Sequence, residues 1–168
     1  METNMATAAA RAEQLRTAMR AWTTGVAIVT ATANGERHGM TVSSFTSVSV
    51  DPPMVTVSLQ SASRTHDAVV SSGAFGISIL AASQQSLAER FALHGISMGD
   101  RLEGLDTETL VTGAPLIKNS LAYMDCSVRQ SIASGSNTLF LAEVVAVRGD
   151  DHDEPLVYHD RTYRQLKE

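Results

Sequence analysis

Gly39-Met-Thr-Val-Ser-Ser-Phe-Thr-Ser-Val-Ser-Val-Asp-Pro-Pro53 is the stretch on which the fold turns. A return strand starts over residues 38–41, and the next run is stopped at Asp51-Pro52-Pro53. Two successive prolines remove two backbone donors, so the stop is a connection and not a sheet interior. Immediately beyond, residues 54–59 alternate cleanly. The pleat sends Val55, Val57 and Leu59 to a core and turns Thr56 and Ser58 toward a polar space.

Working upstream, Val26-Ala-Ile-Val-Thr30 is β-branched and apolar on both faces, the pattern of a central strand. Asn34-Gly35 is the turn that sends the chain back. Residues 6–22, within an N-terminal segment spanning 1–22, read as an Ala-rich helix. Its Leu15, Met19 and Trp22 fall at i, i+4 and i+7, a face expected to pack on the barrel. Downstream, 64–72 reads as a short helix stopped by Gly73, and Phe75-Gly-Ile-Ser-Ile-Leu80 as a strand. Ser83 is placed to cap a helix running to about residue 93, with Leu87 and Phe91 stacked at i, i+4. Residues 94–114 are polar and Gly-rich, a long loop. Strands over 120–132 and 138–148 meet through Ser134-Gly135-Ser136, and a last pair covers 156–159 and 163–166. The order predicts a mainly β protein: a Greek-key antiparallel barrel with peripheral helices. There is no G-x-G-x-x-G and no regular strand–helix alternation, so a dinucleotide here must bind in some way other than a Rossmann crevice.

The 168 residues fit a single domain, which buries roughly 70% of its unfolded surface and needs no staples. Charged residues make up 18% and the net charge is -5, without the basic excess that a nucleic-acid partner requires. No stretch is apolar and long enough for a membrane helix, and Arg11, Glu13 and Arg16 interrupt any signal-peptide core. A cytoplasmic protein is expected. The one cysteine, Cys126, lies in an apolar run without a neighbouring base, as a buried and unreactive thiol does. Histidines 38, 66, 94, 152 and 159 show no zinc-like spacing, and the acidic turn of Asp150, Asp151, Asp153 and Glu154 reads as solvated.

Two stretches carry candidate chemistry. Thr41, Ser43, Ser44, Thr46, Ser47 and Ser49 make a hydroxyl-rich, nearly uncharged wall of the kind a flat heteroaromatic ring wants. Strand propensity alone accounts for the same composition. Ser61-Ala-Ser-Arg-Thr65 places three hydroxyls and a guanidinium just before a helix, where free N–H groups and Arg64 suit a phosphate. A plain Ser/Thr cap with a solvated Arg explains it equally well.

The run from Gly39 to Pro53 closely resembles the signature of the flavin reductase-like family, the small components of two-component flavin monooxygenases. The resemblance takes in Thr24-Gly-Val-Ala-Ile-Val-Thr30 upstream. Downstream it includes Ser61-x-Ser-x-Thr65, Ser72-Gly-x-Phe-x-Ile-Ser-Ile-Leu80, Phe91, Pro115-Leu116 and Pro155-Leu-Val-Tyr-His-x-x-x-Tyr163. It implies an FMN-binding split β-barrel that forms a homodimer. The reaction it implies is hydride transfer from NADH or NADPH to FMN or FAD, with reduced flavin supplied to a partner monooxygenase. By the same resemblance, Thr41, Val42, Ser43 and Ser44 would line the flavin ring and Ser58 and Leu59 would flank the ribityl chain. Ser61, Ser63, Arg64 and Thr65 would hold the phosphate, and Phe91 would cover part of the pocket. Tyr158, His159 and Tyr163 match a segment close to the nicotinamide nucleotide. Many members carry Gly-Asp-His-Thr where this chain has Gly135-Ser136-Asn137-Thr138, so Asn137 bears on the donor site. Two other readings remain: a flavin carrier without NAD(P)H turnover, and an oxidase-type split barrel like the pyridoxamine phosphate oxidases. The Ser-Ser-Phe-Thr-Ser-Val-Ser-x-Asp-Pro-Pro motif speaks against the second.

Overall fold

The computed structural model describes residues 2–93, 101–149 and 153–166. In chain order the elements are α1 (Glu2–Met19), β1 (Thr24–Gly25), β2 (Ala27–Ala33), β3 (Glu36–Val42), β4 (Thr46–Val50) and β5 (Pro53–Gln60). Then come α2 (Arg64–Ser72), β6 (Ala74–Ile79), α3 (Gln85–Ala92), β7 (Thr107–Glu108) and β8 (Leu116–Ile117). The chain closes with β9 (Ala122–Ser134), β10 (Asn137–Gly149), β11 (Val157–His159) and β12 (Thr162–Arg164). The mainly β, antiparallel class expected from the sequence is the one observed. Seven strands form one sheet in the order β3-β2-β6-β9-β10-β5-β4, and every neighbouring pair runs antiparallel.

Local chemistry sets the elements nearest the site. Asn34 and Gly35 both take positive φ, 53° and 79°, the tight turn that pairs Ala33 with Glu36 across β2 and β3. β5 alternates as expected, with Val55, Val57 and Leu59 buried and Thr56 and Ser58 half-buried on the opposite side. α2 begins at its Ser63 cap, whose hydroxyl accepts from the His66 N–H at 3.1 Å, and ends at Gly73 with φ 66°.

Two apolar clusters flank β2. One fills the rolled sheet: Val29, Val42, Val57, Leu59, Phe75, Ile77, Cys126 and Phe140, with Ala68 and Val69 of α2 as its plug. The other lies on the outer face, where Ile28 and Leu80 meet Ala88 and Phe91 of α3, Leu102, Ile117 and Leu156. β2 is therefore buried on both faces, as its two-sided apolar pattern requires.

Residues 111–117 form a strap across the outside of β2, β6 and β9, held by polar groups that are themselves buried. The carboxylate of Asp125, fully buried on β9, accepts from the Val111 N–H at 2.7 Å, the Thr112 N–H at 2.8 Å and the Thr112 hydroxyl. The Thr30 hydroxyl donates to Pro115 O, and Ser78 Oγ accepts from the Ile117 N–H at 3.0 Å. Gly76 permits the close approach: a Cβ there would sit 2.6 Å from Thr30 Oγ1 and 2.9 Å from Pro115 O.

Three local expectations are corrected. α1 does not lay Leu15, Met19 and Trp22 on the barrel, since these side chains remain 62%, 52% and 66% exposed. The helix also starts and ends earlier, and residues 20–22 close it with i→i−3 bonds. Ser83 caps no helix. Its hydroxyl donates to Asp153 at 3.0 Å, while Gln84 Oε1 takes the Ala81 N–H at 3.0 Å and a short 3-10 turn leads into α3. The described part of the expected 94–114 loop contains β7 and the buried Leu102, so it is packed rather than free; residues 94–100 lie outside the described residues. His94, Asp150, Asp151 and His152 also lie outside them.

Gly76→Ala is expected to cost about 1–3 kcal/mol, because backbone and buried side chains must both give way. Gly25→Ala meets nothing within 4 Å and serves as the control, expected within about 0.5 kcal/mol of the parent. Urea unfolding midpoints measure both. Equal midpoints for the two variants would contradict a closely laid strap.

Candidate functional site

A sheet that rolls up normally spends its backbone donors and acceptors on strand ladders. Here the roll has a seam. β3 ends at Val42 and β4 begins at Thr46, so residues 43–45 run outside the ladder. Across that seam the Ser44 hydroxyl donates to Ser58 O at 2.8 Å and accepts from the Ser58 N–H at 3.2 Å. One side chain thus replaces a rung between the β3–β4 connection and β5.

From Ser58 a polar strip continues. Asn137 Nδ2 donates to Ser58 Oγ at 3.2 Å, and Asn137 Oδ1 accepts from the Ser136 hydroxyl at 3.2 Å. The Ser61 N–H donates to Ser136 O at 2.9 Å, and Ser61 Oγ lies 3.3 Å from Thr138 Oγ1. Ser61 leads directly into the N-terminus of α2, where the N–H groups of the first two helical residues, Arg64 and Thr65, have no intrahelical partner. Arg64 is exposed beside them. Hydroxyls, a carboxamide, free N–H groups and a guanidinium line this strip from Ser44 to Arg64. That chemistry fits a polar heterocycle joined to a phosphate, because it offers neutral donors and acceptors along its length and positive charge at one end.

The structure divides the residues expected at the site. Ser43, Ser44, Ser58, Ser61, Ser63 and Arg64 lie on or beside the strip. Val42 and Leu59 point into the barrel core, 7% and 1% exposed, so only their main chain is available there. The Thr41 hydroxyl is committed to α3, donating to Ala88 O at 2.6 Å. Thr65 is buried behind the helix start. Phe91 is 1% exposed in the outer cluster, against Gly39, where a Cβ would come within 2.7 Å of its ring. Asn137 is not a turn filler. Gly135 carries the positive φ of that hairpin, and Asn137 pairs with Gln60 and Ser134 as the first residue of β10.

Tyr158, His159 and Tyr163 sit elsewhere, in the small sheet β1-β11-β12. The two tyrosine rings meet at 5.4 Å and 59°. His159 Nδ1 lies 2.8 Å from Thr23 Oγ1. Burial, then Glu89 and Tyr158, push the Tyr163 hydroxyl above the usual tyrosine value. Phe45 bridges the two regions: it shares a recess with Thr24, Gly25, Val26, Ala27 and Ile79, and Thr24 pairs with Tyr158.

Sequence reasoning did not single out two groups next to the phosphate end. His66 faces Thr138, and Arg101 shares an electrostatic neighbourhood with Arg64. Arg101 donates to Phe91 O at 3.0 Å and Leu93 O at 2.5 Å, while its buried Nε–H has no partner among the described residues. Its pKa is lowered, first by burial and then by the charge of Arg64. Nothing in the motif marked Arg101, which follows a stretch without strand or helix periodicity.

The described residues of the strip include no thiol. Burial, with Asp125 alongside, pushes the Cys126 thiol up to about 12, so it stays protonated and unreactive as expected. Among the described residues no group of His, Cys, Asp or Glu side chains could hold a metal ion. An arrangement of hydroxyls, a carboxamide, a guanidinium and helix-end N–H groups positions reactants and leaves the bond changes to a cofactor.

Comparison with known proteins bears on what that cofactor is. Residues 19–167 match the family model described as a flavin reductase like domain. The NADH-dependent flavin reductase StyB of Pseudomonas fluorescens is 36% identical over 145 residues, covering 83% of this chain and 80% of that protein. The NADH:FAD oxidoreductase SgcE6 of Streptomyces globisporus superposes with a TM-score of 0.86 at 31% identity, covering 92% of this chain and 93% of that one. The styrene monooxygenase flavin reductase of Pseudomonas putida gives a TM-score of 0.80 at 32% identity, over 90% of this chain and 96% of that one.

Proposed function

The chain belongs to the flavin reductase-like family, and on that premise we propose that it is an NADH-dependent flavin reductase that supplies reduced flavin to a partner monooxygenase. The observation that carries the reading is the strip from Ser44 through Ser58 and Asn137 to Ser61 and Arg64, laid along the open seam of the barrel. When bound, the nicotinamide supplies a hydride and the flavin accepts it. The chain's own residues hold and orient. Ser44 and Ser58 fix the seam so that the main chain of residues 43–45 can meet the polar edge of the flavin ring. The α2 N-terminus, Ser61, Ser63 and Arg64 take the phosphate. Phe45 supplies apolar surface beside the ring, and its recess leads to Tyr158, His159 and Tyr163, the segment assigned to the donor. NADH is preferred over NADPH by likeness to StyB, named NADH-dependent. Every polar hold is noncovalent and shallow, which suits a flavin that must leave.

The flavin seat is completed by a second copy of this chain. β4 is an edge strand of the sheet and presents Val48 and Val50, the latter 88% exposed. Ile132 on the projecting β9–β10 hairpin and Trp22 after α1 are also bare. Unpartnered apolar surface beside a site open on one side is the surface a dimer buries. No described helix is long and apolar enough to cross a membrane. The reading carries with it a cytoplasmic setting, where NADH is held and a lone thiol stays reduced.

Purified protein is expected to oxidise NADH only when FMN or FAD is supplied. Steady-state oxidation with and without flavin tests this, and flavin bound without turnover would make the protein a carrier. Light scattering at micromolar concentration is expected to give the mass of a dimer, and a monomeric mass would contradict the shared seat. Arg64→Ala removes a charge-assisted contact of roughly 1.5–3 kcal/mol, so flavin binds about ten- to a hundredfold more weakly with little change in stability. An unchanged dissociation constant would return Arg64 to a solvated cap.

A further inference from the structure

Arg101 is brought to the phosphate end by the outer layer of the fold. Leu102 beside it is buried in the outer cluster, and Arg90 of α3 donates to Glu103 O at 2.9 Å. Arg101 ties the same segment back by donating to Phe91 O and Leu93 O at the end of α3. The carbonyl end of a helix carries partial negative charge, so a cation is stabilised there. α3 in turn is keyed to β3, an edge strand of the large sheet. Ala88 O takes the Thr41 hydroxyl, and the Phe91 ring covers Gly39. On the opposite face of β3 the next residue, Met40, receives the Ser63 hydroxyl on its sulfur at 3.7 Å. The end of α3 and the start of α2 therefore stand on the two faces of β3 at the same level, residues 39–40. Arg101 and Arg64 extend from those two helix ends, close enough that the charge of Arg64 acts on Arg101.

We propose that Arg64 and Arg101 together form a seat for two linked phosphates, and that the chain therefore takes FAD in preference to FMN. The inference rests on the assignment of the α2 N-terminus to the flavin phosphate and goes beyond it, because that end of the strip needs only one phosphate. Two guanidiniums repel each other, and among the described residues no carboxylate pairs with either. A single phosphate at the start of α2 is met by the N–H groups of Arg64 and Thr65 and by the Arg64 side chain. A second phosphate, joined to the first, places its charge beside Arg101 and offsets the repulsion. Arg101 has donors left for it. A guanidinium carries its N–H groups in a planar fork and accepts nothing. In Arg101 each terminal nitrogen spends one N–H on an α3 carbonyl and keeps one, while the Nε–H is buried. The half-buried side chain is already fixed by those carbonyls and by the buried Leu102 next to it, so little rotamer freedom is lost when an anion binds. FMN ends at the first phosphate, and FAD continues through the second.

The test is titration of the parent and of Arg101→Gln with FAD, FMN and riboflavin, followed by fluorescence quenching. At about pH 8 the FMN monoester carries close to two negative charges, as many as the FAD diphosphate, so the comparison reads where the charge sits and not how much there is. The parent is expected to bind FAD about tenfold more tightly than FMN, the size of one charge-assisted hydrogen bond. Arg101→Gln should bring FAD down to the level of FMN and leave FMN and riboflavin near their parent values. A parent that binds FMN as tightly as FAD overturns the inference whether or not the variant folds. So does an Arg101→Gln protein that keeps the FAD preference, or one that loses FAD and FMN equally. A loss that extends to riboflavin in the same measure also overturns it, since Arg101 would then serve only to tie α3. All of these leave the flavin reading in place. A parent protein that binds none of the three flavins removes the site itself, and both readings with it.

Discussion

The site depends on one hydroxyl. Ser44 both donates to and accepts from the main chain of Ser58, so a side chain does the work of a strand rung where β3 gives way to β4. A continuous ladder at that point would consume the backbone donors of residues 43–45 and leave a sealed barrel with no place for a planar ligand. An open edge with no rung would let the two strands drift apart. The single Ser44 bridge holds the seam together and leaves its main chain unspent. The rest of the strip is built outward from the same residue, since Ser58 receives Asn137 and the neighbouring Ser136 receives Ser61.

Much of this was legible in the sequence because it is local. The Asn34-Gly35 turn, the alternation of β5, and α2 with its Ser63 cap and Gly73 stop each follow from a few neighbouring residues. What was not legible depends on which distant element a side chain meets. Thr41 belongs to the family motif, yet its hydroxyl serves α3, 47 residues away in sequence. Phe91 stacks at helical spacing with Leu87, but its contact with Gly39 is set by a strand that lies far off in sequence. The apolar face of α1 was read from its spacing alone, and spacing does not say whether the surface that covers it belongs to the same chain. His66 and Thr138 are 72 residues apart, so only the fold brings them to Ser61.

Two groups that could do chemistry are already committed away from the seam. Cys126 is locked away as a thiol, and the buried Asp125 is spent on holding the outer strap. What remains at the seam can bind and orient, and on the proposed reading the bond changes fall to the flavin and the nicotinamide. By the resemblance Asn137 stands where many family members carry a histidine, and here its carboxamide is already engaged on both sides, by Ser58 and Ser136. It therefore buttresses Ser58 within the strip, and a carboxamide does not titrate.

The central claim is that hydride passes to a flavin that comes and goes. The most direct measurement is anaerobic: a trace of protein is mixed with FMN in large molar excess over it and NADH in excess over the FMN, and the yellow band of oxidised flavin is followed. The account predicts that the band disappears completely, with many flavins reduced per subunit and one NADH consumed for each. Bleaching that stops at one flavin per subunit would mean the reduced flavin is kept, and no bleaching would mean the seam binds without transferring; either result contradicts the account.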